Sequence, residues 1–416
     1  STVQNRKTLS GVRYWIGAVL AVIPTGYWFM RQVVWHMQPR WGGSHDTIRA
    51  FLHSPSCAHL SELEKDRLRH EIWRDDYLDM EVDEDDDAAD VENWRSVTRE
   101  RMQAALFPYH RYETGIWLAN SHYGRGEHAQ ALQLLREAEQ HHALDDDLVM
   151  AKALRLALQP DLFEPGEGER WVLQVAERSA RAFESQGAMV LLGYCTAHGL
   201  LGVPANPALG EAWLEAARQQ GKGTMAWNRI SSVLARNGHP AAGYRLAELG
   251  YEAGGEACAY LLGLFHAEGV HVQADPRAAI PWFRQTMEEG GNNGAHQLYL
   301  MYLQLIETSS NTQEAEQWRM QAIEAARRAH ELEHTDGLQN MLMSIGDLQD
   351  VGGVAHYLPL VREHAEQGHH TAMAALSSLL SNAGDKARYD YRESVRWILG
   401  AQAIAPDDEY VQNVLR

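Results

Sequence analysis

The chain has 416 residues, 45% of them hydrophobic and 22% charged, which bounds it as two or three folded domains or one long repeat array and excludes a mostly disordered chain. A formal net charge of −19 excludes a binder of phosphate backbones, which needs clustered Lys and Arg, and predicts instead a protein partner with a basic patch. Three cysteines, Cys57, Cys195 and Cys258, with no CxxC pair, are too few for a disulfide framework or a thiolate zinc site.

The first predicted element is apolar. Tyr14 to Met30 carries no charge and lies between Arg13 and Arg31. Seventeen residues is the short end of a membrane span, and a snorkelling Arg31 extends the run through Val33, Val34 and Trp35 to Met37. Residues 1–37 therefore read as an N-terminal segment with a membrane anchor over 14–37. Tyr14, Trp15 and Trp35 fall at the interfaces, and Pro24 and Gly26 are tolerated there. A cleaved signal peptide and a buried apolar helix are the alternatives.

Pro39, Gly42 and Gly43 break that element, and Ser44 reads as the N-cap of a helix through Ile48, Phe51 and Leu52. Ser61 and Glu64 form a capping box ahead of Leu63, Leu68, Ile72 and Trp73. An acidic stretch, 75–92, reads as a solvated loop. Its Asp83, Asp85 and Asp87 suggest calcium, but Ala88 and Trp94 stand where an EF-hand loop needs Gly and Glu. Residues 38–148 form a membrane-proximal helical domain in this reading. The Pro39-Arg40-Trp41-Gly42-Gly43-Ser44 element behind an apolar run resembles the bacterial family catalogued as domain of unknown function 4034. That family continues with short helices and a tetratricopeptide-like stretch, here Trp117-Leu118-Ala119, Tyr123, Gly126, Ala129, Ala131-Leu132 and Leu135. No activity comes with the resemblance.

Residues 149–416 repeat themselves. Leu191-Leu192-Gly193 and Leu261-Leu262-Gly263 are 70 residues apart; Trp213 and Trp282, like Gly221 and Gly290, are 69 apart. This is two periods of about 35 around a degenerate unit at Ala226, Val233, Gly238, Ala242 and Tyr244. Small residues (Ala188, Gly193, Ala257, Gly263) let helices approach, an aromatic on the second helix fills the remaining space, and each pair needs the next to cover its apolar face. Trp318 and Trp397 continue the phase, whereas 295–360 departs from it. With Gly269-Val270 before Asp275-Pro276, and Ala279-x-x-Trp282, the units resemble Sel-one-like repeats, relatives of the tetratricopeptide repeat. The resemblance implies an all-α solenoid of helix pairs that binds protein.

One motif carries chemistry. His330-Glu331-Leu332-Glu333-His334 matches HExxH, which on a helix sets two zinc ligands one turn apart with Glu331 as the base. Against it, a third histidine is replaced by Asn340, and Gly337 reads as the C-cap of a repeat helix. No GxSxG, Walker A or dinucleotide fingerprint appears, so no cofactor is expected.

The expectation is a non-enzymatic binding scaffold of the bacterial envelope, single-pass in the inner membrane with its bulk in the periplasm; the alternative is cytoplasmic. Sel-one-like proteins resemble neutralisers of type VI secretion effectors such as phospholipases, so an immunity protein is one version, and an adaptor in an envelope assembly is another. Zinc peptidase chemistry at His330, Glu331 and His334 is the outside alternative. Polar residues of the array, Arg229, Asn237, Tyr260, His266, His296 and Tyr299, are the candidate partner contacts.

Overall fold

Apolar residues at three- and four-residue spacing, punctuated by Gly, Pro and capping residues, dictate a succession of short helices. In a computed structural model, which describes residues 31, 33–34, 36–37, 45–79, 88–220, 225–332, 334, 337–346, 351–381 and 390–415, every regular element described is helical. Two compact units result, Ser1–Asn206 and Pro207–Arg416.

The first unit contains α1 (His45–Leu52), a 3-10 turn (Pro55–Cys57), α2 (Glu62–Asp79), α3 (Ala88–Ala104), α4 (Pro108–Gly124), α5 (His128–Ala138), α6 (Asp147–Ala157), α7 (Glu167–Phe183) and α8 (Gln186–His198). The capping box forms as expected. The Ser61 amide donates to Glu64 Oε2 at 2.8 Å and the Glu64 amide to Ser61 Oγ at 3.3 Å. The tetratricopeptide-like stretch becomes the packed pair α4–α5, turned by Gly126 at φ 74°. The domain boundary expected at 148/149 falls inside this unit, where α6 packs on both α5 and α7.

Two expectations change here. Residues 14–30 of the anchor lie outside the described residues. The extension beyond Arg31 packs into protein instead: Val33 and Val34 are buried, and Val34 joins a core with Ile48, Leu52, Cys57, Leu60, Leu68 and Ile72. Arg31 Nε pairs with Glu71 at 3.0 Å rather than reaching past an apolar run. Among the described residues no helix is long and apolar enough to cross a membrane. The acidic loop is also shorter than 75–92, because α2 runs to Asp79 and α3 starts at Ala88; Trp94 is a buried helical residue. The remainder of the acidic run, 80–87, lies outside the described residues.

A buried ionic cluster joins α2 to α3 and α4. Asp66, fully buried, accepts from Arg101 (2.8 Å), from the Leu106 amide (3.1 Å) and pairs with His110 Nδ1 (2.9 Å). One turn on, His70 Nε2 meets Glu113 at 2.6 Å, and Arg74 lies 3.4 Å from the same carboxylate. The His70 and His110 rings stack 3.9 Å apart.

The second unit contains α9 (Pro207–Gln219), α10 (Met225–Arg236), α11 (Pro240–Glu252), α12 (Glu256–Glu268), α13 (Pro276–Glu288), α14 (Asn292–Thr308), α15 (Thr312–Glu331), α16 (Gly337–Gly346), α17 (Val351–Glu366), α18 (His370–Ser381), α19 (Tyr391–Ile404) and α20 (Glu409–Leu415). Consecutive helices pair in α10–α11, α12–α13, α14–α15 and α18–α19, and each pair packs on the next element of the array; α16 packs chiefly on α15 and α18 and touches α17 only slightly. The repeat is visible in backbone detail. Gly199 (φ 68°) ends α8 and Gly269 (φ 79°) ends α12. The following amide returns to the helix in both, Leu200 to Cys195 O and Val270 to Phe265 O. Each loop then closes alike, Asn206 N to Thr196 O and Asp275 N to His266 O.

Trp213, Trp282, Trp318 and Trp397 each occupy the seventh residue of their helix, α9, α13, α15 and α19. They are half-buried rather than core. Trp282 meets Tyr251 of the preceding second helix edge-on at 5.1 Å, and Arg277 lies 5.3 Å over the Trp318 ring. The space-filling side chain is the next residue, Phe283, fully buried against Gly263. A methyl group at Gly263 would stand 2.6 Å from Phe283 Cε1. The departure at 295–360 also has a cause: α14 and α15 run to 17 and 20 residues where α12 and α13 each have 13.

Candidate interaction surface

The first helices of successive pairs, α10, α12, α14 and α16, are joined by polar contacts along one side. Asn228 Nδ2 donates to Ala257 O at 2.6 Å, tying α10 to α12. A side-chain hydrogen bond joins Tyr260 of α12 to Gln297 of α14. Asn340 of α16 lies 3.4 Å from His296 Nδ1 of α14. Helical spacing beside these contacts places Arg229 and Ser232, then Tyr260 and Leu264, then Gln297, Leu300 and Leu303, then Asn340 and Met343, all half-buried. The row is mixed: apolar bodies with amide, hydroxyl and guanidinium groups between them. Burial raises the Tyr260 phenol above its ordinary value, with the bond from the Gln297 amide to its oxygen acting in the opposite sense, so Tyr260 is neutral at physiological pH.

Of the six residues chosen from sequence, three, Arg229, Tyr260 and His296, fall on this row. Asn237 instead donates to Val233 O at 2.7 Å and closes the end of α10. His266 sits beside the tryptophan seam. It is 3.0 Å from the Tyr244 hydroxyl and stacks on Trp282, and burial lowers its basicity. Tyr299 is buried at 6% exposure, with Ser344 Oγ donating to its hydroxyl at 3.4 Å. It belongs to the core and is corrected as a contact residue. Leu264, Leu300, Leu303 and Met343 share the row with Arg229, Tyr260 and His296, and their sequence signal is three- or four-residue spacing from Tyr260, His296, Leu300 and Asn340 respectively.

The HExxH geometry does not form. Helix α15 ends at Glu331, and Leu332 is its C-cap. His334 lies beyond the helix, its amide bonded to Ala329 O, and its ring stacks on His296 at 4.2 Å. Glu331 pairs with Arg327 and Arg328. The two histidines are therefore not successive ligands on one helical face, and the carboxylate expected as base is engaged by two guanidiniums. Gly337 is likewise not a C-cap: it begins α16, where any side chain would press on the backbone of His330.

Residues 1–75 match the family described as Domain of unknown function (DUF4034). The chain is similar to a Sel1 repeat protein from Oxalobacter formigenes at 17% identity, covering 82% of this chain and 99% of that one, with a TM-score of 0.28. It is also similar to a protective antigen of uropathogenic Escherichia coli strains displaying an SLR fold, at 15% identity, covering 94% and 79%, with a TM-score of 0.36.

Proposed function

We propose that the chain is a non-enzymatic protein-binding scaffold that grips its partner on the row of first helices, α10, α12, α14 and α16. The supporting observation is the half-buried stripe of Tyr260, Leu264, Leu300, Leu303 and Met343, interleaved with Arg229, Gln297 and Asn340. Apolar anchors ringed by polar groups are what a protein interface requires. The net charge of −19 favours a partner with a basic patch. In this reading residues 14–30 hold the array at the bacterial inner membrane, with its bulk in the periplasm.

Two versions differ in stoichiometry. An immunity protein that neutralises a secreted toxic enzyme, such as a type VI effector of the phospholipase class, binds one enzyme tightly and blocks it. An adaptor in an envelope assembly binds several partners, or binds weakly. Affinity capture on the full chain separates them, with Tyr260→Asp and Leu300→Asp as losses of grip and Arg245→Ala, half-exposed on α11, as the control. Capture that survives both substitutions, or that is indifferent to salt, contradicts the reading.

A further inference from the structure

The first unit holds a cavity of about 340 Å³ between α1, α2 and α3, within the size range of small-ligand sites. Its walls divide by chemistry. Leu52, Ile72 and Trp73 supply a buried apolar floor and Val97 and Ala104 an exposed apolar rim, while Arg49, Arg69 and Arg101 supply guanidinium groups, His53 an imidazole and Glu100 a carboxylate. Three arginines around one small cavity stand out in a chain whose net charge is −19.

Those arginines are differently held. Arg101 is nine-tenths buried and clamped to Asp66 through Nη1 (2.8 Å) and Nη2 (3.0 Å), while its buried Nε has no hydrogen-bond partner among the described residues. Its charge is met by Asp66, so it forms a fixed wall, and the positive charge at the cavity comes from the other arginines. Arg69 reaches Glu62 at 3.4 Å, and that carboxylate is 65% exposed, a contact that water and salt screen. Arg69 is thus able to turn towards an anion in the cavity. Arg49 is exposed on α1 at the same mouth.

We propose that this cavity binds a small amphipathic monocarboxylate, its apolar body on Ile72, Trp73 and Val97 and its carboxylate on Arg49 and Arg69. A guanidinium fork matches a carboxylate in geometry and charge. Glu100 on the wall disfavours a dianion, and the cationic groups disfavour an amine. The site is separate from the first-helix row and stands or falls independently of it.

The test titrates the full chain by calorimetry with octanoate, octanol and octylamine. Saturable one-to-one binding of octanoate is expected, with octanol and octylamine at least about tenfold weaker. Arg49→Gln combined with Arg69→Gln should weaken octanoate by about tenfold or more while leaving octanol unchanged. Val97→Trp, at a position 49% exposed, should fill the cavity and abolish binding; Ala104→Phe is the second filler if that variant does not fold. Octanol binding as tightly as octanoate, octanoate binding unaffected by the fillers, or no saturable octanoate binding overturns the proposal.

Discussion

His334 stacks on His296 with ring centroids 4.2 Å apart and planes within 9° of parallel. This contact ties the segment between α15 and α16 to the first helix α14, and it takes His334 away from the turn that HExxH chemistry requires. Zinc titrated into the full chain should therefore find no stoichiometric site that depends on His330. Metal analysis of the wild type and of His330→Ala checks this. One equivalent of zinc that the substitution abolishes would contradict it.

The close approach of α12 and α13 predicts a packing penalty. Gly263→Ala places a methyl group 2.6 Å from Phe283 Cε1 and should cost about 1–3 kcal/mol, because overpacking forces a ring or a helix to shift. Phe283→Leu makes room, so a double-mutant cycle by denaturant unfolding should give a favourable coupling. Additive losses would show that the two positions do not meet.

Backbone conformation and packing can be separated at two loops. Gly269 has φ 79° and a methyl group there would also lie 3.1 Å from Ala274, whereas Gly254 has φ 92° with open space around it. Gly254→Ala should cost about 1 kcal/mol from left-handed backbone alone. Gly269→Ala should cost more. Equal losses in thermal unfolding would remove the role assigned to Ala274.

Acid should weaken the first unit. Burial, with His70 against its ring, lowers His110 from 6.5 to about 4. An unfolded chain takes up a proton between those values that the folded one refuses, so stability present above pH 6.5 is lost as pH falls towards 4. The carboxylates act in the same direction. Burial alone would raise Asp66 and Glu113, but Arg101 and His110 on the first, and His70 and Arg74 on the second, hold both below their ordinary values. Their contribution is present above the unfolded carboxylate range and is lost as pH falls through the folded values. The His110 share is roughly 3 kcal/mol. His110→Gln should flatten the dependence of unfolding on pH between 6.5 and 4; an unchanged slope would assign it elsewhere.

Much of this fold is legible from residue spacing. The 69- and 70-residue intervals, the capping box at Ser61 and Glu64, and the Asp275-Pro276 step each map onto an element, because short-range periodicity and capping are local physics. What was not legible depends on tertiary contact. Nothing local says that Arg31 turns to Glu71, or that α15 stops three residues short of His334. Asp66, His70, His110 and Glu113 carry no pattern in the sequence that pairs them; only the packing of α2 on α4 brings them together and buries them. The interaction row is partly legible: Arg229, Tyr260 and His296 are expected from sequence, whereas Gln297, Asn340 and the leucines look like any others until the first helices stand side by side.

The most direct test of the scaffold reading is site-specific photo-crosslinking in the source organism. A photoreactive side chain is placed at Leu300 or Tyr260 on the first-helix row, and at Arg245 on the second helix α11. The account predicts a discrete protein adduct from 300 and 260 and none from 245. Adducts from 245 alone, or equally from all three, would contradict it.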